Sequence, residues 1–199
     1  MKTSLSQLRK HLRPGKVYRR EDLLRWSHSV DRHLKQLTQE GSLQKLRNGL
    51  YYHPRKFAFG VAPAEEHELV RAFLRTDDFV VTSPNFYNQL GVGATQLYNK
   101  RVVYNQKRHG TFDLGGRSLC FERRLRLPRH LSPEFLLVDL VNELDNLAED
   151  RDEVLARVPT KARAMDQRKL VRAISLYGKS ATRKYFERVL KGEQAASAV

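Results

Sequence analysis

The sequence predicts an α+β fold, and three observations carry that prediction. The first forty residues show helical apolar spacing and lead into a hairpin signal, short β-like runs occupy the middle of the chain, and the chain after Pro128 is helical. At 199 residues there is room for two small domains.

Ser4 to Leu12 places Leu5, Leu8 and Leu12 on one helical face, and Arg13-Pro14-Gly15 stops that helix. Lys16-Val17-Tyr18 reads as a short extended piece. Glu21 to Trp26 reads as a second short helix with Leu23 and Leu24 inward and Trp26 packing the turn. Ser27-His28-Ser29 forms the turn and supplies an N-cap hydroxyl. The third helix runs from about Val30 to Glu40, with Val30, Leu34 and Leu37 on its apolar face and Gly41 closing it. Asn48-Gly49 then marks a hairpin, because a type I′ turn needs positive φ at both central residues, although the alternation in the flanking strands is imperfect. Helix, strand, helix, turn, helix and hairpin in that order predict a winged helix-turn-helix over 1–56.

Residues 55–64 read as a connector. From 65 to 191 the pattern predicts an α+β domain with a small central sheet and C-terminal helices. Its helices fall at 65–75, 84–90, 133–147 (with Ser132 as N-cap), 151–158, 161–176 and 180–190, and its strands at 79–82, 100–106, 111–114 and 117–124. Residues 192–199 are small and polar and read as a flexible tail.

Lys and Arg number 37 against 22 Asp and Glu, a formal net charge of +15. Fourteen of the basic and four of the acidic residues lie within 1–60, so two thirds of the excess sits in the first third of the chain. That skew points to one discrete nucleic-acid-binding module. On the third helix, His28, Arg32, Lys35, Gln36 and Gln39 fall opposite the apolar face. The second helix of a helix-turn-helix enters the major groove, where Arg32 can grip guanine O6 and N7 and Gln36 can pair with adenine. Ser29 and Lys35 are placed to hold phosphates. Lys45, Arg47 and Asn48 sit at the hairpin tip, which in a wing follows the backbone or enters the minor groove. Arg19, Arg20 and Arg25 lie on or just before the helix that crosses the backbone. Roughly six to eight neutralised phosphates give a slope of log K against log salt of about −5 to −7. The reading is a sequence-specific regulator that binds double-stranded DNA, with no catalytic residue, no metal and no cofactor.

The run Leu34-Lys35-Gln36-Leu37 followed by Gly41-Ser42-Leu43-Gln44-Lys45-Leu46-Arg47-Asn48-Gly49-Leu50-Tyr51 resembles the AbiEi-type antitoxins of type IV toxin–antitoxin (abortive infection) systems. The later layout, with Tyr177-Gly178 followed by basic residues, is similar to that family's C-terminal domain. The resemblance implies a repressor of its own promoter acting at inverted repeats. It also implies a neighbouring nucleotidyltransferase-type toxin that the protein opposes without forming a stable complex. The DNA-contacting positions it implies are Arg32, Lys35, Gln36, Arg47 and Asn48.

The single cysteine, Cys120, allows no disulfide framework or Cys-based zinc site within one chain and reads as a buried thiol in a cytoplasmic protein. The N-terminus lacks the apolar stretch of a signal peptide, and no apolar run approaches ~18 residues, so no membrane partner is expected. Asp77, Asp78, Asp113 and Glu122 could serve a nuclease, but no Glu-x-Lys pairing accompanies them, and neither glycine nor histidine spacing fits a phosphate loop or metal site. Glu143, Asp145, Glu149, Asp150, Asp152 and Glu153 form an acidic patch that reads as solvated. The alternative reading makes it a docking surface on an interaction module whose winged helix does not touch DNA. The terminal helices carry a basic surface from Lys161 to Arg188 over a buried face of Leu170, Val171, Ile174, Tyr185, Phe186, Val189 and Leu190.

Overall fold

The computed structural model describes residues 4–58 and 60–192, so the expected tail lies outside the described residues apart from Gly192. Helices and short sheets make up an α+β arrangement. The chain groups into two compact units, Met1–Phe79 with Lys107–Phe121, and Val80–Gln106 with Glu122–Val199. This division differs from the boundary expected at 56–65, because the helix after the connector and a later hairpin join the N-terminal elements.

Unit one begins with α1 (Ser4–His11), β1 (Val17–Arg19), α2 (Arg20–Leu23) with a 3-10 turn at Leu24–Trp26, α3 (Val30–Gln39), β2 (Gln44–Arg47) and β3 (Leu50–Tyr52). Leu8, Leu12, Leu23, Val30, Leu34, Leu37 and Leu43 form one buried cluster, with Leu5, Tyr18, Trp26 and Tyr51 at its edge. Leu24, expected inward, is 41 % exposed, because the tighter 3-10 turn carries it off the buried face. Ser29 occupies the N-cap of α3, yet its hydroxyl caps nothing. The turn is closed instead by Ser27 Oγ, 2.7 Å from His33 Nδ1, both side chains being buried. Burial, and next the charge of Arg32, hold the His33 imidazole below its ordinary range.

The strands form an antiparallel sheet in the order β1-β3-β2, with Tyr18 opposite Tyr51 and Arg19 opposite Leu50. Tyr18 and Tyr51 face the leucine cluster, so the two-residue period sends Arg19 and Leu50 to the other face. The turn at Asn48-Gly49 is present but is not type I′. Gly49 has φ 74°, whereas Asn48 does not have positive φ. A register shift between Lys45 and Arg47 supplies the extra twist that the primed turn would have given.

The expected connector contains a second hairpin, β4 (Arg55–Phe57) with β5 (Gly60–Ala62). It is followed by α4 (Glu66–Leu74), β6 (Phe79–Thr82), β7 (Arg101–Asn105), β8 (Gly110–Asp113) and β9 (Ser118–Arg123). Within unit one, α4 packs on β1, and the β8–β9 turn reaches β2, where Gly115 N–H donates to Leu46 O at 3.0 Å. These contacts lie on the face of the sheet opposite the leucine cluster. The poor alternation around the hairpin reflects the register shift in β2, where Gln44, Lys45 and Arg47 are exposed and only Leu46 is buried.

Unit two is built around α5 (Pro133–Glu143), capped by Ser132 Oγ, which accepts from Phe135 N at 3.2 Å. Phe135 to Leu140 are all buried, so this helix is apolar nearly all round and is surrounded nearly all round. Its neighbours are the 3-10 segment Pro84–Leu90, α6 (Arg151–Arg163), α7 (Gln167–Tyr177) and α8 (Ser180–Lys191). The break expected before Lys161 falls instead at 164–166, because α6 runs through Pro159. The carbonyl that Pro159 leaves without its helical donor, Leu155 O, accepts from Tyr185 OH at 2.8 Å. Val171 and Leu190, expected to be buried, are 52 % and 39 % exposed.

Asp139 interrupts the apolar run of α5 and is almost fully buried. Its Oδ2 accepts from Tyr87 OH at 2.8 Å and Tyr104 OH at 2.7 Å. Arg124 Nη2 lies 3.8 Å from Oδ1 and is itself held by Glu122 and Glu143. Desolvation outweighs these favourable partners and lifts the carboxyl from 3.8 to about 6. The folded protein therefore keeps a proton that the unfolded chain releases. Stability from this group is complete below about pH 4 and is lost as pH rises through about 6. In urea unfolding at pH 4 and pH 7, the protein should lose about 1–3 kcal/mol more than Asp139→Asn does over the same interval. Parallel losses in the two proteins would contradict this assignment.

Candidate nucleic-acid interface

Helix α3 turns Arg32, Lys35, Gln36 and Gln39 to solvent while Val30, Leu34 and Leu37 lock its underside into the leucine cluster. Four helical positions thus stand on a rigid ridge about 15 Å long. Among the described residues neither Arg32 nor Lys35 is held by an ion pair. Gln36 is exposed but occupied, its Nε2 donating to Glu40 Oε1 at 2.8 Å, and Glu40 also pairs with Arg9. Ser29, Lys45 and Asn48 are exposed at the helix entry and at the hairpin.

The remaining three expected contacts have partners within unit one, Arg47 while staying exposed. Arg20 grips Asp31, in the first turn of α3, through two hydrogen bonds of 2.6 Å. That fork holds the Asp31 carboxyl below its ordinary range and raises Arg20. Arg47 does not point from the hairpin tip. Its guanidinium lies 5.0 Å from the centre of the Phe112 ring and 5.6 Å from that of Phe73. The register shift puts it on the same sheet face as Leu50, toward the aromatic layer of Phe73, Phe112 and Phe121. Arg19 is half-buried on that face. Its Nε is 3.4 Å from Glu21 Oε2, and Nε and Nη1 have no hydrogen-bond partner. Parity with the core-facing Tyr18 was the sequence signal for Arg19; the placement of Arg47 had none, because it depends on the shift.

The acidic patch is also committed internally. Glu143 pairs with Arg124 and Lys179. Glu149 accepts from the backbone of Thr95 and Gln96 and from Tyr98 OH. Asp150 Oδ1 caps α6 through Glu153 N, and Asp145 and Glu153 pair with Arg151 and Arg157. Of the candidate nuclease acids, Asp113 accepts from Gly116 N in the β8–β9 turn, and Glu122 binds Arg124 at 2.9 Å. Among the described residues no three His, Cys, Asp or Glu stand together as metal ligands. Cys120, expected buried, is only half so. No helix among the described residues is long and apolar enough to cross a membrane. No family model, curated protein or solved structure matches the chain.

The clamp on the hairpin can be tested directly. Gly115 has φ 66°, and a Cβ there would stand 2.6 Å from Leu46 Cδ2. Gly115→Ala should lower stability by about 1–3 kcal/mol in chemical denaturation. A neutral substitution would mean that the β8–β9 turn does not clamp β2.

Proposed function

We propose that the N-terminal elements of unit one act as a winged helix-turn-helix and that the protein is a sequence-specific, DNA-binding transcriptional regulator. The observation that carries this reading is the exposed face of α3, where Arg32 and Lys35 reach solvent from a helix whose other side is fixed in the leucine cluster. A rigid helix that offers long donors on one side suits the major groove. In this reading α3 enters the groove, Arg32 takes guanine, Lys35 and Ser29 hold phosphates, and Lys45 and Asn48 approach the adjacent backbone.

The resemblance of residues 34–51 to AbiEi-type antitoxins extends the proposal to a cytoplasmic autorepressor that opposes a nucleotidyltransferase-type toxin encoded beside it. A neighbouring gene of another kind would remove that extension and leave the DNA reading standing. The acidic-patch alternative is not favoured, because five of its six carboxylates, all but Asp152, already have partners within the protein.

With Arg19, Arg20 and Arg47 engaged within the protein, roughly three to four cations remain for phosphates, and the slope of log K against log salt becomes about −3 to −4. Fluorescence anisotropy with a duplex from the upstream region should show Arg32→Ala losing about 1–3 kcal/mol of affinity and relaxing specificity at one base pair. Arg47→Ala should alter stability and leave affinity nearly unchanged. Absence of binding at low ionic strength would overturn the proposal.

A further inference from the structure

A second concentration of positive charge lies on the opposite face of the β1-β3-β2 sheet from α3. There a cavity of about 360 Å³ is lined by Arg19, Arg75, Lys107, Arg108, Phe73 and Leu74, all within unit one. Glu21 pairs at its edge, 3.4 Å from Arg19 Nε and 3.2 Å from Arg75 Nη2.

Three features of this cavity call for a ligand. First, Arg19 Nε and Nη1 are buried without a hydrogen-bond partner, and unsatisfied buried donors are rare in folded proteins. Second, the lining places three guanidiniums and an ammonium together. Burial and the neighbouring Arg75 and Arg108 charges weaken the hold of Arg19 on its proton, against the opposing pull of Glu21 and Asp22. Third, Arg75 sits at the end of α4 with φ 58°, the one described non-glycine residue in the left-handed region. Glycine is the ordinary occupant of such a position, so an arginine there is kept against a backbone cost.

The surroundings hold the charges in place. Lys107 Nζ donates to Leu74 O and Arg75 O, 3.1 Å each, which counters the negative end of the α4 dipole and fixes Arg75. Arg108 lies over the Phe73 ring at 4.5 Å. A fork of guanidiniums fits the oxygens of a phosphate and does so better than it fits a single-atom anion.

We infer that this cavity is a phosphate-binding site, seating the phosphoryl group of a small ligand through Arg19, Arg75 and Arg108. The inference does not rest on duplex binding. The cavity and the α3 ridge occupy opposite faces of one sheet, so a duplex docked on α3 and a phosphate bound here are separate events.

The test uses the full chain and inorganic phosphate at constant ionic strength, with chloride as reference, read by thermal unfolding and by phosphorus NMR. Phosphate should raise the unfolding temperature saturably and broaden the phosphorus signal. Arg75→Gly should fold at least as stably as the parent in chloride, because it relieves the positive φ, yet bind phosphate at least about tenfold more weakly. Arg19→Met should show the same loss. A parallel titration with duplex distinguishes the source of the phosphate. A duplex affinity that falls in Arg75→Gly, with no response to free phosphate, assigns the seat to a strand phosphate and overturns the small-ligand form. A phosphate response that is absent from the parent, or equal in parent and variants, overturns the site altogether. Either result leaves the Arg32-dependent titration unaffected.

Discussion

Strand parity in the β1-β3-β2 sheet decides what each cation of unit one can touch. Tyr18 and Tyr51 must face the leucine cluster, since their rings complete it. With those two fixed, Arg19 and Leu50 have no choice but the other face. The neighbouring Arg19 and Arg20 then take unrelated roles. Arg19 enters the cavity lined by Phe73 and Arg75, while Arg20, which begins α2, reaches the first turn of α3 and holds Asp31. One residue of register separates a half-buried guanidinium with two unsatisfied nitrogens from a more exposed fork with two hydrogen bonds.

The helical layer was legible in the sequence because a helix buried on one side writes its burial as a period near 3.6. Val30, Leu34 and Leu37 appear at that spacing and are buried as it requires. The polar face of α3 follows by subtraction, and Arg32 and Lys35 are exposed on it. The sheet was less legible. The register shift in β2 breaks its alternation, and the segments that pack on the sheet's other face, α4 and the β8–β9 hairpin, come from 66–74 and 110–123. Arg47 was therefore placed at a free wing tip when its guanidinium lies among Phe73 and Phe112. The cavity formed by Arg19, Arg75, Lys107 and Arg108 was invisible for the same reason. Its members are scattered over ninety residues, and no spacing rule joins them.

In unit two several acidic residues have partners that the sequence does not reveal. Asp139 interrupts the apolar run of α5, and Glu143, Glu149 and Asp150 read as part of a solvated patch. Each instead satisfies donors that the fold brings to it: two tyrosine hydroxyls for Asp139, Arg124 and Lys179 for Glu143, backbone amides for Glu149 and Asp150. Backbone amides at loops and helix starts need acceptors, and carboxylates supply them. Sequence reveals the acceptors without revealing the donors, so a cluster of carboxylates reads as surface charge until the long-range partners are known. Tyr185 is the converse case, a hydroxyl whose purpose emerges only once α6 is seen to continue through Pro159 and leave Leu155 O open.

Net charge and usable charge are therefore different quantities in this molecule. Every cation of the first sixty residues adds to the field that draws a polyanion in, because that field depends on distance and little on where a side chain points, within a Debye length of about 8–10 Å at ordinary salt. Counterion release and base reading depend on the side chains that stand at the interface, and in the proposed reading strand parity takes Arg19 from that set, the register shift brings Arg47 to Phe73 and Phe112, and Asp31 occupies Arg20. On the proposed duplex-binding reading, the association rate follows the formal charge, and the salt dependence at equilibrium follows only the few cations left on the α3 ridge and at the hairpin. On that reading the two measurements on one complex should disagree about how basic the protein is, and the size of that disagreement counts the arginines engaged within unit one.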